Sequence, residues 1–208
     1  MEGSQACSAS DFSIGQFKSL VPLLLAHGRE CHRRNSYMVA YSFFKNFLFS
    51  MPLWLYGFYT WWSGQTFFDM YLLTFFNVFF TFMPVVLFAI FDWEMKLEDL
   101  VQKPKMYKDG KENHELTIWR WTKWQIEAMF IGAVTFALCF SIAETDYTQL
   151  GKTSSMWLEG CLCYSAIVII VTWKILSESN TINPIIVFFD LGSVVLYFIL
   201  FWLESQFK

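Results

Sequence analysis

From Asn46 to Phe68 the chain carries no charged side chain, and it carries none again from Met70 to Phe91. These stretches are 23 and 22 residues long, and about 20 mostly apolar residues in a helix cross the hydrocarbon core of a bilayer. Only 16% of the 208 residues are charged and 55% are hydrophobic, against roughly 25% charged in soluble domains. A soluble single domain would have no way to hide two such helices. The expected fold is an all-α integral membrane helical bundle.

Three further spans are readable. Residues 119–140 hold Lys123 and Glu127 near the start, residues 157–176 hold Glu159 and Lys174 near the ends, and residues 183–202 hold Asp190. With spans at approximately 37–60 and 69–91, about five transmembrane helices result. An odd number puts the termini on opposite sides, so the positive-inside rule can be applied to every Lys and Arg. Lys18, Arg29, Arg33, Arg34, Lys96, Lys103, Lys105, Lys108, Lys111, Arg120, Lys123 and Lys174 fall on one side, and only Lys152 and Lys208 on the other. The N-terminus is expected to be cytosolic, in a compartment that the sequence leaves open between plasma membrane, Golgi and endosome. The polar first 34 residues contain no apolar core of the signal-peptide kind. A net charge of -3 leaves no nucleic-acid footprint, and no Asn-x-Ser/Thr acceptor is present.

Residues 1–20 are too short for a core of their own and read as the tail of a preceding domain. Residues 21–36 read as a juxtamembrane amphipathic helix whose basic cluster reaches the headgroups. Residues 37–203 form the membrane domain. The short uncharged turn WWSGQTFF at 61–68 makes the first two spans a tight hairpin with interfacial tryptophans. Residues 92–118 are densely charged, interrupted by Pro104 and Gly110, and read as a solvated cytosolic loop. The five cysteines are scattered and read as packing residues, and His27, His32 and His114 lack metal-ligand spacing. No metal site and no catalytic residue is expected in this chain; Ser63-Gly64-Gln65 is a turn. Glu144, Asp146 and Glu159 cluster near the exoplasmic face, where a partner subunit could meet them.

One residue breaks the first span. Lys45 lies about 15 Å in from Asn35, close to the midplane of a core about 30 Å thick, where a cation costs about 2.5 to 3.5 kcal/mol on insertion scales. Counted from the turn at Ser63, Lys45 is about 27 Å back along the first span and Asn77 about 21 Å along the second, at comparable depth. Thr74, Asn77, Thr81 and Pro84 recur at helical spacing and read as one polar face. Pro52, seven residues after Lys45, removes a backbone N–H and leaves the Leu48 carbonyl without its usual donor. Neither span carries Asp or Glu at mid-depth. A cation site is therefore disfavoured, which leaves two readings of Lys45: an anionic or zwitterionic guest supplies its countercharge, or an acid on a helix outside this chain does.

The segments EGSQACSASDFSIGQF, LLLAHGRECHRRNSYMVAYSFFKN, SGQ, FNVFFTFMP and KPKMYKDGKENHELTIWRW together resemble the C-terminal part of the phospholipid-translocating P-type ATPases, the P4 flippases. The resemblance runs along nearly the whole chain. It implies that the five spans correspond to helices five to nine of a ten-helix membrane domain and that the first residues are the end of a cytosolic phosphorylation domain. It further implies that Lys45, Asn46 and Asn77 lie along the lipid path; helical spacing adds Thr81 to that path, and Pro52 and Pro84 are expected to kink their helices. Phe44 and Phe76 stand where a tyrosine is common in the family, His32 replaces an aromatic and Ala89 a frequent glycine.

The resemblance implies ATP and magnesium as cofactors of the intact protein, bound by none of these residues. Its partners would be phospholipid, a membrane-spanning accessory subunit and the remaining domains of the parent ATPase. No Asp-Lys-Thr-Gly-Thr phosphorylation motif occurs in the sequence, so the chain is expected to be a fragment of such a protein. The alternative is a truncated, catalytically inactive membrane protein that binds lipid or a partner subunit.

Overall fold

The computed structural model describes residues 4–11, 13–145, 156–181 and 183–207. All regular structure among them is helical. The chain is helical without interruption from Leu20 through a π-helical turn at Leu23–Gly28 into the 31-residue helix α1 (Arg29–Tyr59). Helix α2 (Met70–Phe75), a π-helical segment Phe76–Phe80 and helix α3 (Phe82–Phe91) follow. After the charged loop come α4 (Ile118–Thr145), α5 (Met156–Glu178) and α6 (Pro184–Phe207).

Among the described residues four stretches are long and apolar enough to cross a membrane: Met70–Phe91, Ile118–Ile142, Met156–Glu178 and Pro184–Leu203. The fifth expected span, 37–60, forms the second part of α1, which has the length but whose apolar character is diluted by Lys45, Asn46 and several tyrosines. That dilution has a packing counterpart. Helix α1 lies at the centre, against α4 along much of its length and also against α3 and α5, so its polar groups can turn to neighbours rather than to lipid. Helix α6 closes the bundle against α3, α5 and the π-helical segment.

Pro52 sits inside α1 without ending it. The Leu48 carbonyl that it leaves without a donor faces Gly132 of α4. A Cβ on Gly132 would stand 3.0 Å from that oxygen and 2.9 Å from Met51 Cβ. Only glycine lets the two backbones come this close, the small-residue packing that holds helices together where lipid removes the hydrophobic drive. The hairpin turn is also more deeply anchored than a surface loop. Trp61 and Trp62 adopt left-handed backbone (φ 53° and 57°), Trp62 lays its ring over Gly57, and Phe67 and Phe68 are buried. The Phe67 carbonyl approaches Gly160 of α5 so closely that any Cβ there would overlap it. Asp69, the one acid between the first two spans, caps α2 by accepting from the Tyr71 N–H at 3.1 Å.

The basic cluster expected to reach the headgroups turns inward instead. Arg29 and Arg33 are 7% and 9% exposed, and Glu30 and Asp92 are wholly buried. Arg33 donates to Asp92 at 2.8 Å and to Glu30 at 3.0 Å, while Arg29 pairs with Glu30 at 2.9 Å and Glu94 at 2.7 Å. Asp92 also accepts from the backbone N–H groups of Asn180 and Thr181 at 2.8 and 3.0 Å. Arg34 donates to the Ala89 carbonyl at 2.7 Å, meeting one of the unpaired acceptors at the end of α3. Burial opposes the Arg33 charge, but the bond to Asp92 and the field of Glu30 outweigh it and hold its pKa above the ordinary value. These ion pairs join the start of α1, the end of α3 and the turn between α5 and α6.

Two measurements check this packing. Gly132→Val, which overpacks the α1–α4 crossing, is expected to cost about 1 to 3 kcal/mol in thermal unfolding in detergent, whereas Gly192→Ala, inside α6 with open space around it, is expected to lose nothing and to gain up to about 1 kcal/mol. Asp92→Ala strands buried Arg33 and two backbone donors and is expected to cost about 3 to 5 kcal/mol. Glu112→Ala, which breaks the exposed pair with Lys108, costs about 1 kcal/mol or less.

Candidate functional site

The interruption between α2 and α3 is where the polar residues gather. Pro84 lies in the first turn of α3, where its missing N–H breaks the backbone ladder that would have continued from α2. The chain accommodates the break with the π-helical turn at Phe76–Phe80 and with Thr81 in a non-helical conformation (φ -122°, ψ -10°). Single π turns of this type recur at functional sites because they redirect side chains.

The redirection decides which residues meet. In an unbroken helix Asn77 and Thr81 would share a face, as their spacing predicts. The π turn shifts the register, so Thr81 and Pro84 are buried while Thr74 and Asn77 are exposed. Lys45 therefore meets Thr81 and not Asn77: its Nζ donates to Thr81 Oγ1 at 2.7 Å. Thr81 in turn donates to the Phe76 carbonyl at 2.9 Å, an acceptor freed by the altered ladder. Both partners are buried, at 9% and 1% exposure.

Asn46 points to a different side of α1 from Lys45. It is exposed, and its carbonyl accepts from Ser50. Asn46 and Asn77 thus lie on the outer surface of the bundle, while Lys45, Thr81, Pro52 and Pro84 lie within it. Among the described residues no carboxylate forms an ion pair with Lys45. Asp190, the acid of the last span, is fully buried on α6 and makes no such pair. The ammonium has three donors and one of them is taken by a neutral hydroxyl. Such an arrangement holds the cation in place without neutralising it.

A second cation close by is handled differently. Lys174 of α5 reaches Glu127 of α4 at 3.0 Å and Glu178 at 3.3 Å. Its ammonium also lies over the rings of Trp124 and Phe44, 4.6 and 5.4 Å from their centroids. This cluster was not anticipated from the sequence, although opposite charges at like depth on two consecutive spans, Glu127 and Lys174, carry the signal. The contrast is informative: Lys174 is fully paired and structural, while Lys45 is not paired with any charge.

Among the described residues no group of three His, Cys, Asp or Glu could hold a metal ion. Of the acids Glu144, Asp146 and Glu159, Asp146 lies outside the described residues, as does the side chain of Glu144, and Glu159 is half-buried near the start of α5.

Comparison with known proteins places the chain in a family. A family model for the C-terminal region of phospholipid-translocating P-type ATPases matches residues 7–208. The chain is similar to phospholipid-transporting ATPase C887.12 of Schizosaccharomyces pombe, 36% identical over 202 residues that make up 96% of this chain and 16% of that protein. It is 32% identical to probable phospholipid-transporting ATPase 12 of Arabidopsis thaliana over 203 residues, 96% of this chain and 17% of that one. With human phospholipid-transporting ATPase IG it shares 31% identity over 204 residues, 97% of this chain and 18% of the human one. The chain thus spans less than a fifth of the length of these relatives, and nearly all of its own length takes part in the match. It belongs to the phospholipid-translocating P-type ATPases, in the multi-pass C-terminal membrane region of that family.

Proposed function

We propose that this chain is the membrane part of an ATP-driven phospholipid translocase, in which Lys45 supplies a fixed positive charge for a lipid headgroup crossing between leaflets. The observation that carries the reading is the buried ammonium that, among the described residues, is held by the Thr81 hydroxyl and by no carboxylate. A phosphate or carboxylate would complete its hydrogen bonds and its charge, and charge-assisted bonds of this type are about twice as strong as neutral ones. Asn46 and Asn77, exposed on the surface of the bundle, would line the same path once further helices of a parent protein cover it.

The remaining roles follow from that reading. ATP and magnesium would act on other parts of the parent, and phosphorylation there would move the helices against each other. Pro52, Pro84 and the π turn are the places where α1 and the α2–α3 span can bend, because their backbone ladders are already broken. The N-terminus would be cytosolic, and an accessory subunit would meet the exoplasmic end, where Trp61 is almost wholly exposed. A second reading, a chain that binds lipid or a partner without turnover, draws on the short span of the match to its relatives. The mass of the native product separates them: a band near 24.6 kDa favours the short protein, and one several-fold larger the translocase.

Lys45→Ala in a full-length translocase carrying this segment is expected to raise the lipid concentration for half-maximal ATPase stimulation by about tenfold or more, the loss of one charged hydrogen bond of about 1.5 to 3 kcal/mol. Thr81→Val, which frees the ammonium but keeps the volume, is expected to change that concentration in the same direction by less. Unchanged lipid dependence in Lys45→Ala would sink the assignment.

A further inference from the structure

The bundle holds an acid whose charge is as unmatched as that of Lys45. The buried stripe of α6 runs through Ile186, Asp190, Ser193 and Tyr197, spacings of four, three and four that place them on one face. Three of these need nothing further: Ile186 is apolar, Ser193 donates to the Phe189 carbonyl at 3.0 Å, and the Tyr197 hydroxyl pairs with Ser165 at 2.7 Å. Asp190 is the exception. It is 0% exposed, and neither carboxylate oxygen has a hydrogen-bond partner.

A second buried polar atom, on α1, is in the same condition. The Tyr37 hydroxyl of α1 has no partner, and its ring is fixed between Phe88 and Trp124, with centroids 4.2 and 5.3 Å away. Asp190 lies within electrostatic reach of the phenols of Tyr37 and Tyr41, and the Tyr41 hydroxyl is already committed to the Val171 carbonyl. The other acids that act on Tyr37 are Glu178 of α5 and Asp92 at the end of α3, and each carries its own cation, Lys174 at 3.3 Å and Arg33 at 2.8 Å; Tyr164 of α5 stacks on Tyr197. Among the described residues no cation pairs with Asp190.

An ionised carboxylate in this setting carries a desolvation penalty of several kcal/mol with nothing to offset it. A metal cation is a poor remedy, because hard cations take about six oxygens or more and Asp190 with Tyr37 offers three. A proton is sufficient. We propose that Asp190 is a proton-binding site of the membrane bundle, with the unpartnered Tyr37 hydroxyl as a nearby polar group rather than a bonded one. Loading forms one O–H bond on the carboxylate and converts one hydronium to water; unloading is the reverse, with no change of oxidation state. Asp190 is the seventh residue of α6, about 9 Å from its start, on the same end of the bundle as the Asp92 ion pairs. Water at that end is the nearest proton source.

Infrared spectroscopy of the full chain in lipid nanodiscs tests this independently of any lipid transport. The expected result at neutral pH is a C=O stretch of a neutral carboxylic acid that shifts in D2O, is lost in Asp190→Asn and persists when Na+ replaces K+. Tyr37→Phe, which removes one hydroxyl and keeps the ring, is expected to move the frequency of that band, and it decides the matter if Asp190→Asn does not fold. The proposal is overturned by absence of the band at neutral pH, by its survival in Asp190→Asn, by its loss in Na+ or K+, or by an unmoved frequency in Tyr37→Phe.

Discussion

The bond from the Lys45 ammonium to the Thr81 hydroxyl at 2.7 Å is the interaction on which the arrangement of the first two spans depends. An ammonium buried in a membrane helix must find acceptors and negative charge inside the protein, because lipid tails offer neither. Thr81 reaches Lys45 only because the π turn rotates it inward, and the π turn exists because Pro84 prevents the ladder from continuing. One proline thus places a hydroxyl against a lysine on another helix. What the hydroxyl cannot supply is negative charge, and that deficit gives the site its chemistry.

Around this centre the helices are held by two unlike means. Near the turn and along α1, close backbone approach does the work: Gly132 against Leu48, Gly160 against Phe67, Gly57 under Trp62. At the opposite end, the buried acids Glu30 and Asp92 gather arginines from α1 and amides from the α5–α6 turn. A bundle fixed rigidly at one end by ion pairs and broken in its ladders near the middle can bend in the middle. The location of Pro52 and of the π turn beside Lys45 is consistent with such a division of stiffness. Lys45 and Asp190 lie on different helices and form no ion pair with each other among the described residues.

Much of this was legible in the residues. The absence of charge over 46–68 and 70–91 marks the hairpin, the depth count brings Lys45 level with the second span, and the motifs around YSFFKN and FNVFFTFMP carry the family. The partner of Lys45 was read less well. The spacing of Thr74, Asn77, Thr81 and Pro84 assumes an unbroken 3.6-residue period, and one π turn divides the four residues between the surface and the interior. Arg29 and Arg33 read as a headgroup-facing patch because their acids, Glu30 and Asp92, are respectively too near and too far in sequence to suggest a shared buried cluster. The insertion of Phe67 and Phe68 against Gly160 depends on a contact across about ninety residues, which periodicity does not register.

The central claim is that the protein needs a positive charge at position 45 and not merely a side chain of that size. It is tested most directly by Lys45→Cys in a full-length translocase lacking other reactive cysteines, followed by treatment with aminoethyl or ethyl methanethiosulfonate. Only the aminoethyl adduct restores an ammonium. The account predicts that lipid-stimulated ATPase activity is low in Lys45→Cys, recovers with the aminoethyl reagent and stays low with the ethyl one. Equal recovery with both reagents, or full activity in untreated Lys45→Cys, would contradict it.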